Sequence, residues 1–377
     1  MAHYYSKKII LLMSLLALFL LSVLAQGCSG EGAPAAPQKK YSAATVAGLE
    51  KIVESGIEQF GNPGALLCVW DEGYETLIIS KGKADIASGR APKIADGFRI
   101  GSNTKVFTAM AVLMLADQKK ISLDEKLSKY MPDMPHASEV TVRQIGNHTA
   151  GYFNCTDDEA FGAAANADLT KRWKPEEIIS YIKNRPLDFT PGSKYNYSNT
   201  GYIILGMLVE RISAMTWENF LSEKIFKPLG LNDTYSPENS SLKGECMKGY
   251  VTLGTNPVEI AIDPSFAWAA GSIVSTVPDM KKWLEAVRTG ALLSPAMAAE
   301  QRKWVDMGPD PFFKKYGFGL MQGGAQFLGH GGSIAGFNSF AFISADGRKC
   351  VILVHNLAAG VKEIGPKVIE YLGLNDH

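Results

Sequence analysis

Ten consecutive residues, Val106 to Leu115, are apolar except for Thr108, and their order favours no side. A helix that is apolar all round must be packed on every side. At ten residues the run falls far short of the roughly 20 that a membrane span requires, so protein must cover it. The chain has 377 residues, too many for one core of usual size and enough for two lobes. Hydrophobic residues make up 46% and charged ones 20%, which excludes a disordered or collagen-like chain. With 38 basic and 38 acidic side chains, no bulk basic surface exists for nucleic acid, and no nucleic-acid partner is expected.

Periodicity places the elements around that helix. Ala43 to Phe60 reads as an amphipathic helix with Leu49, Ile52, Val53, Ile57 and Phe60 on one side. Strand-like runs follow at Ala65–Trp70 and Glu75–Lys81, around the turn Asp71-Glu72-Gly73. From Ser122 to Tyr250 the chain reads as helices and loops punctuated by prolines. Strand character returns at Tyr316–Leu320, Gln326–His330, Ser339–Ser344 and Lys349–His355, before a last helix at Lys362–Leu372. The pattern predicts an α+β lobe from residues 43–120 and 255–377, and a helical lobe from 121–254. An antiparallel sheet flanked by helices is expected, with the active site between the lobes.

The first residues are a different kind of polymer. Lys7 and Lys8 precede an apolar run from Ile9 to Leu21, and small residues follow. That order predicts an export signal over residues 1–27. Leu24-Ala25-Gln26-Gly27-Cys28 resembles the lipobox of bacterial lipoproteins, which implies lipidation of Cys28 and a membrane partner through that anchor. The expected location is the bacterial cell envelope, at a periplasmic or outer-membrane face. Residues 28–42 are small and rich in Pro and Gly, as in a flexible tether. Without the first forty residues the remaining body is slightly acidic.

Four cysteines remain in that body, Cys68, Cys155, Cys246 and Cys350, with no Cys-x-x-Cys pair. An exported context leaves open a disulfide between Cys68 and Cys350 or two free buried thiols. The six histidines are scattered without metal-ligand spacing, so no metal is expected.

The chemistry begins at Ser102-Asn103-Thr104-Lys105, directly before the buried helix. A hydroxyl in the first helical turn meets unpaired backbone N–H groups and the positive end of the dipole. Lys105 projects from the same face and can reach Ser102, where it can activate a nucleophile otherwise almost free of alkoxide. Ser-x-x-Lys spacing recurs at Ser80, Ser180 and Ser240, so context, rather than spacing, singles out Ser102. A helix cap would also explain it. The second element is Tyr197-Ser198-Asn199. A Tyr serves as base where neighbouring cations lower its pKa, and Asn199 can hold a Lys or a substrate amide. The third is His330-Gly331-Gly332-Ser333, where glycines let a substrate backbone approach a sheet edge.

In this order and spacing, the three elements resemble those of the penicillin-binding protein and class C β-lactamase superfamily. Soluble D-alanyl-D-alanine carboxypeptidases, with their His-containing third motif, are the nearest likeness. The resemblance runs from about Ala43 to Leu372 and includes Asn62-Pro63-Gly64-Ala65, Phe98–Lys105, Thr141-Val142-Arg143-Gln144 with His148, Tyr195–Gly206 and Gly329–Ser344. It implies a β-lactamase/transpeptidase-like fold, no cofactor, and a small-molecule or peptidoglycan-peptide substrate. It also implies Ser102 as nucleophile, Lys105 as its activator, Tyr197 as general base and acid, Asn199 as substrate positioner and His330 as an aid to proton transfer. The backbone N–H groups of Ser102 and Ser333 would form the oxyanion hole.

Three residues depart from the carboxypeptidase pattern. Met321 stands where those enzymes place an Arg for the substrate carboxylate, Phe266 where they place a Trp lining the pocket, and Gly331 where they place a Thr. Losing a bidentate carboxylate partner removes a charge-assisted contact. Acyl transfer survives these changes, while the case for a D-Ala-D-Ala substrate loosens. The alternatives are an esterase or acyltransferase acting on a hydroxyl of a hydrophobic small molecule, a β-lactamase, and a non-catalytic β-lactam-binding lipoprotein.

Overall fold

A computed structural model describes residues 38–324 and 326–373. The predicted export signal, Cys28 and most of the tether lie outside the described residues. Residues from Lys40 onward form one compact unit. Contacts are present before the expected helix: Tyr41 stacks on Tyr74 at 4.8 Å, and Ser42 caps helix α1 (Ala43–Phe60). The Ser42 hydroxyl accepts from the Thr45 N–H at 3.0 Å, and Gly61 ends the helix in the left-handed conformation.

Twelve strands follow among the described residues. They are β1 (Gly64–Asp71), β2 (Leu77–Gly82), β3 (Phe98–Arg99), β4 (Tyr250–Leu253), β5 (Asn256–Glu259) and β6 (Val274–Ser275). The later six are β7 (Val305–Asp306), β8 (Phe313–Tyr316), β9 (Met321–Gly323), β10 (Phe327–Ile334), β11 (Phe337–Ser344) and β12 (Lys349–His355). Eight of them make an antiparallel sheet in the order β2-β1-β12-β11-β10-β9-β8-β7. The first and last parts of the chain therefore meet at β1 and β12.

Both faces of the central strands are apolar, as expected for a sheet covered on two sides. Leu67, Phe340, Phe342 and Leu353 share one core with Leu49 and Val53 of α1 and Ile364 of the last helix, Val361–Tyr371. Leu66, Cys68, Ala341 and Ile352 join the second core, centred on helix α2 (Thr104–Asp117). All of α2 is buried except Met114 and Asp117, as the apolar run demands. Its one polar side chain in mid-run is satisfied: Thr108 donates to the Ala269 carbonyl at 2.7 Å and accepts from the Trp217 indole at 3.1 Å. Phe107 stacks on Trp283 at 3.9 Å.

Helices between Val142 and Leu229, with α3 (Asn199–Ser213) the longest, cover the remaining side of α2. The expected boundary at residue 254 falls at the tip of the β4–β5 hairpin. That hairpin is largely exposed, so its residues lack the apolar alternation that announces a strand. Cys68 and Cys350 are free and buried.

Two sequence expectations about strands change. Of the run Tyr316–Leu320 only Tyr316 is strand, as the end of β8, and Gly317–Leu320 is the turn between β8 and β9. Gly319 adopts a φ of +72°, and a Cβ there would stand 2.2 Å from the Ala109 Cβ, so this turn lies directly on α2. The strand expected to end at His330 runs on to Ile334, with the His330-Gly331-Gly332-Ser333 motif in its middle. Its glycine serves close approach rather than turning: a Cβ on Gly332 would lie 2.0 Å from the Ile100 carbonyl oxygen.

Gly101 is the other half of that approach. Its φ is +53°, and a Cβ on it would stand 2.7 Å from the Ser333 nitrogen. Gly331 has neither constraint, since a Cβ there meets nothing closer than the Ser339 carbonyl oxygen at 4.0 Å. Gly101→Ala should lower unfolding free energy by about 2 kcal/mol or more, whereas Gly331→Ala should stay within about 0.5 kcal/mol of the parent. Urea denaturation of both variants checks this, and equal losses would contradict it.

Candidate active site

Ser102 lies in a 3-10 turn, Gly101–Asn103, that leads into α2. Long-range hydrogen bonds fix this turn. Ser339 of β11 donates to the Ile100 carbonyl at 2.9 Å and accepts from the Asn103 amide at 3.0 Å. On the other side the Ile100 N–H donates to the Ile273 carbonyl at 3.0 Å, and the Thr104 hydroxyl accepts from the Ile273 N–H at 3.1 Å. The turn is thus held by β11 and by the strand preceding α4 (Val277–Thr289).

One turn along α2, Lys105 is fully buried. Its Nζ stands 2.7 Å from Asn199 Oδ1, 2.7 Å from the Ala270 carbonyl oxygen and 3.1 Å from Ser102 Oγ. Burial holds its pKa well below the ordinary lysine value. A neutral amine has two N–H donors and one lone pair. The two carbonyl oxygens are acceptors only and take both hydrogens. The lone pair is left facing Ser102 Oγ, in position to receive the hydroxyl proton.

Asn199 is held in turn. Its backbone N–H donates to Asn154 Oδ1 at 2.9 Å, and its side-chain amide donates to Thr156 Oγ1 at 3.0 Å. Its amide oxygen is therefore turned toward Lys105. Tyr197 places its ring 4.8 Å from Lys105 Nζ. Burial raises the Tyr197 pKa, with the neighbouring Ser102 hydroxyl acting weakly in the opposite sense. The sequence argument needed cations to lower this pKa; here the adjacent amine is itself driven toward neutrality. Tyr197 therefore rests protonated, suited to donating a proton, and Lys105 is the better resting base.

His330 lies beside the Tyr197 ring, 6.4 Å between centroids. Its Nδ1 donates to the Gly331 carbonyl, which leaves Nε2 to accept the Tyr316 hydroxyl at 3.0 Å. Burial pushes its pKa down to about 3. Both ring nitrogens are engaged, so a proton relay through His330 requires the Tyr316 bond to open. The Ser102 and Ser333 backbones are brought together by Gly101 as described, which suits a shared oxyanion site.

Two residues with no role in the sequence reading complete the wall behind Tyr197. Tyr316 anchors His330. His148, with a φ of +61°, accepts the Ser198 N–H at Nδ1 (3.2 Å) and stacks 4.4 Å from the Tyr197 ring. Burial lowers its pKa well below the usual value. The sequence marked His148 only as part of a resembling stretch, and Tyr316 only as part of an expected strand.

Two cavities open on Ser102 and Ser333, which line both. The smaller, about 300 Å³, takes Asn199 and Phe266 in its wall. Phe266 and the Lys105 acceptor Ala270 come from two successive 3-10 turns, Pro264–Phe266 and Trp268–Ala270. The larger, about 790 Å³, is lined by Tyr197, His330 and Met321. It sits where β10 runs past the end of β9, which pairs with only Phe327–Gly329.

Lys105→Met keeps the volume but removes the lone pair. It should lower acyl-transfer activity by about 10²–10⁴-fold, and Lys105→Arg, with no lone pair to offer, should do no better. Retained activity in the Arg variant, measured as kcat/KM, would sink the neutral-amine assignment. Acid stability gives a separate check. His148, His330 and His355 are buried and neutral, with His330 near 3 and His355 near 4. Below about pH 6.5 the unfolded chain binds protons at these positions while the folded chain does not. Unfolding free energy should therefore fall as pH drops from about 6.5 toward 4, by up to about 1.4 kcal/mol per pH unit for each histidine. Urea midpoints at pH 7 and pH 5 measure the fall, and His355→Asn should make it shallower.

The family model described as Beta-lactamase matches residues 49–367. Among curated proteins, Protein flp of Staphylococcus aureus (strain N315) is 23% identical over 335 residues. That alignment covers 86% of this chain, and the chain spans only 65% of the length of flp. Among solved structures, the D-stereospecific amidohydrolase from Streptomyces sp. is 28% identical with a TM-score of 0.76, covering 88% of this chain and 98% of that one. The D-amino acid amidase from Ochrobactrum anthropi SV3, complexed with L-phenylalanine amide, is 25% identical with a TM-score of 0.77. It covers 89% of this chain and 100% of its own.

Proposed function

Because the chain belongs to the beta-lactamase family and has the β-lactamase/transpeptidase-like fold, we propose that it is a serine acyl-enzyme hydrolase. The observation that carries the reading is the fully buried Lys105 Nζ, 2.7 Å from each of two carbonyl oxygens and 3.1 Å from Ser102 Oγ. In acylation, Ser102 Oγ bonds to the substrate carbonyl carbon and its proton passes to Lys105. The bond to the leaving group breaks, and the leaving atom takes a proton through the Tyr197 hydroxyl. The Ser102 and Ser333 N–H groups stabilise the oxyanion. Water then attacks the acyl carbon and gives a proton to Lys105; as the bond to Ser102 Oγ breaks, Lys105 returns that proton to Oγ, restoring the serine and the neutral amine.

The substrate bond is an amide or ester, and a D-Ala-D-Ala carboxypeptidase-like action is the starting reading. Similarity to a D-stereospecific amidohydrolase and a D-amino acid amidase supports an amide with a D-configured acyl part. A second reading, an esterase or acyltransferase that delivers the acyl group to a hydroxyl, is favoured by the apolar Met321 in the wall of the larger cavity. No guanidinium grips a terminal carboxylate there.

A fluorescent penicillin followed by peptide and ester substrates tests the proposal. The parent protein should form a covalent adduct and turn over at least one substrate, and Ser102→Ala should lose both. Ser180→Ala, whose hydroxyl merely bonds to the Glu177 carbonyl one turn back, should keep both. An unaltered Ser102→Ala variant would refute the proposal. Adduct formation without turnover of any substrate would favour a β-lactam-binding protein.

A further inference from the structure

The two cavities divide the catalytic side chains between them. Tyr197 and His330 line only the larger, Asn199 and Thr156 only the smaller, while Ser102 and Ser333 border both. A leaving group must depart on the side of the group that protonates it. Tyr197 is that group in the serine-hydrolase reading, so the leaving group lies in the larger cavity and the retained acyl group in the smaller.

The sizes are unequal, about 790 Å³ against about 300 Å³. The smaller cavity is lined by Trp173, Ile262, Phe266 and Ile334, with Asp168 and Asp263 also in its wall. The larger is walled by Phe60, Met307, Phe313, Met321, Phe340 and Val361. Its ionisable lining groups, besides the tyrosines, are His330, Lys362 and Glu363. His330 is neutral at ordinary pH. Lys362 is exposed to solvent and stands 3.7 Å from Glu363, whose Oε2 is buried without a hydrogen-bond partner and would repel a second carboxylate. Beside the catalytic strand, Gly331 leaves open space where a side chain would fit. A free carboxylate in this cavity would meet no unanswered cation, whereas an uncharged apolar group would be desolvated on several sides.

We propose that the substrate joins a compact acyl group to a bulky, uncharged, apolar alcohol or amine, which supplies most of the binding contact. This rests on the serine acyl-enzyme reading. The reaction is the one already balanced above: the acyl carbon passes from the leaving oxygen or nitrogen to Ser102 Oγ, then to water. A bulky apolar alcohol in the larger cavity can also take the acyl group in place of water, losing its proton to Lys105.

Two esters of equal carbon number separate the sides, 2-phenylethyl acetate with a small acyl group and ethyl octanoate with a large one. Both release primary alcohols. Given equimolar esters, intact mass of the protein should show acetyl adducts on Ser102 outnumbering octanoyl adducts, and kcat/KM should favour the acetate by at least about ten-fold. Met321→Trp, which narrows the larger cavity, should bring the ratio down toward one. Equal ratios in the parent protein, or a preference for ethyl octanoate, overturn the assignment of sides. If neither ester reacts, the activated p-nitrophenyl acetate and p-nitrophenyl octanoate give the same comparison of adducts. No Ser102 adduct from any of the four esters would overturn the serine-enzyme reading itself, and this inference with it.

Discussion

Everything in the site depends on how a buried amine satisfies its hydrogens. Lys105 meets two carbonyl oxygens and one hydroxyl, an arrangement with room for two donated hydrogens and one accepted proton. Burying an ammonium would cost several kcal/mol before pairing, and no carboxylate shares its immediate surroundings. Neutrality is the cheaper solution, and it makes the same atom a base. The acceptors must then be held rigidly, because an amide oxygen that rotated away would free a hydrogen to compete for Ser102. Asn154 and Thr156 prevent that rotation at Asn199, and the paired 3-10 turns fix Ala270.

The same economy governs the aromatic wall. Tyr197, His148, Tyr316 and His330 all stay uncharged through burial, and each is oriented by a neighbour rather than by an ion pair. A charged residue in that group would raise or lower the Lys105 proton affinity directly. The apolar cavities beside it extend the low-dielectric surroundings to the bound substrate, where dipoles such as the Ser102 and Ser333 N–H groups act most strongly.

Local pattern carried much of this into the sequence. The helix over Ala43–Phe60 is legible because its apolar spacing, its capping Ser42 and its terminal Gly61 agree with one another. The buried α2 is legible because apolarity on every side has only one structural solution. Ser102 with Lys105 is legible because, unlike the same spacing at Ser80, Ser180 and Ser240, the pair stands directly before the buried helix. The misread segments are those whose local preference is set by a distant partner. Gly319 makes its turn because α2 lies under it, Gly317 is pressed by Gln301 and Trp304, and Gly332 sits in mid-strand because Ile100 presses against it. None of these partners is a neighbour in sequence. His148 and Tyr316 were missed as contributors for a related reason: their meaning lies in rings contributed from four separate stretches of chain. The protonation states of Tyr197 and Lys105 likewise depend on burial, which no spacing reports.

The turn bearing Ser102 is fastened by Ser339, and β11 is itself locked between β10 and β12, with β12 set against β1. A growing polypeptide that has not yet yielded β10 and β11 holds Ser102 and Lys105 but has nothing to brace them, and lacks the Ser333 N–H altogether. Competence therefore arrives only once β10 and β11 have been made and paired.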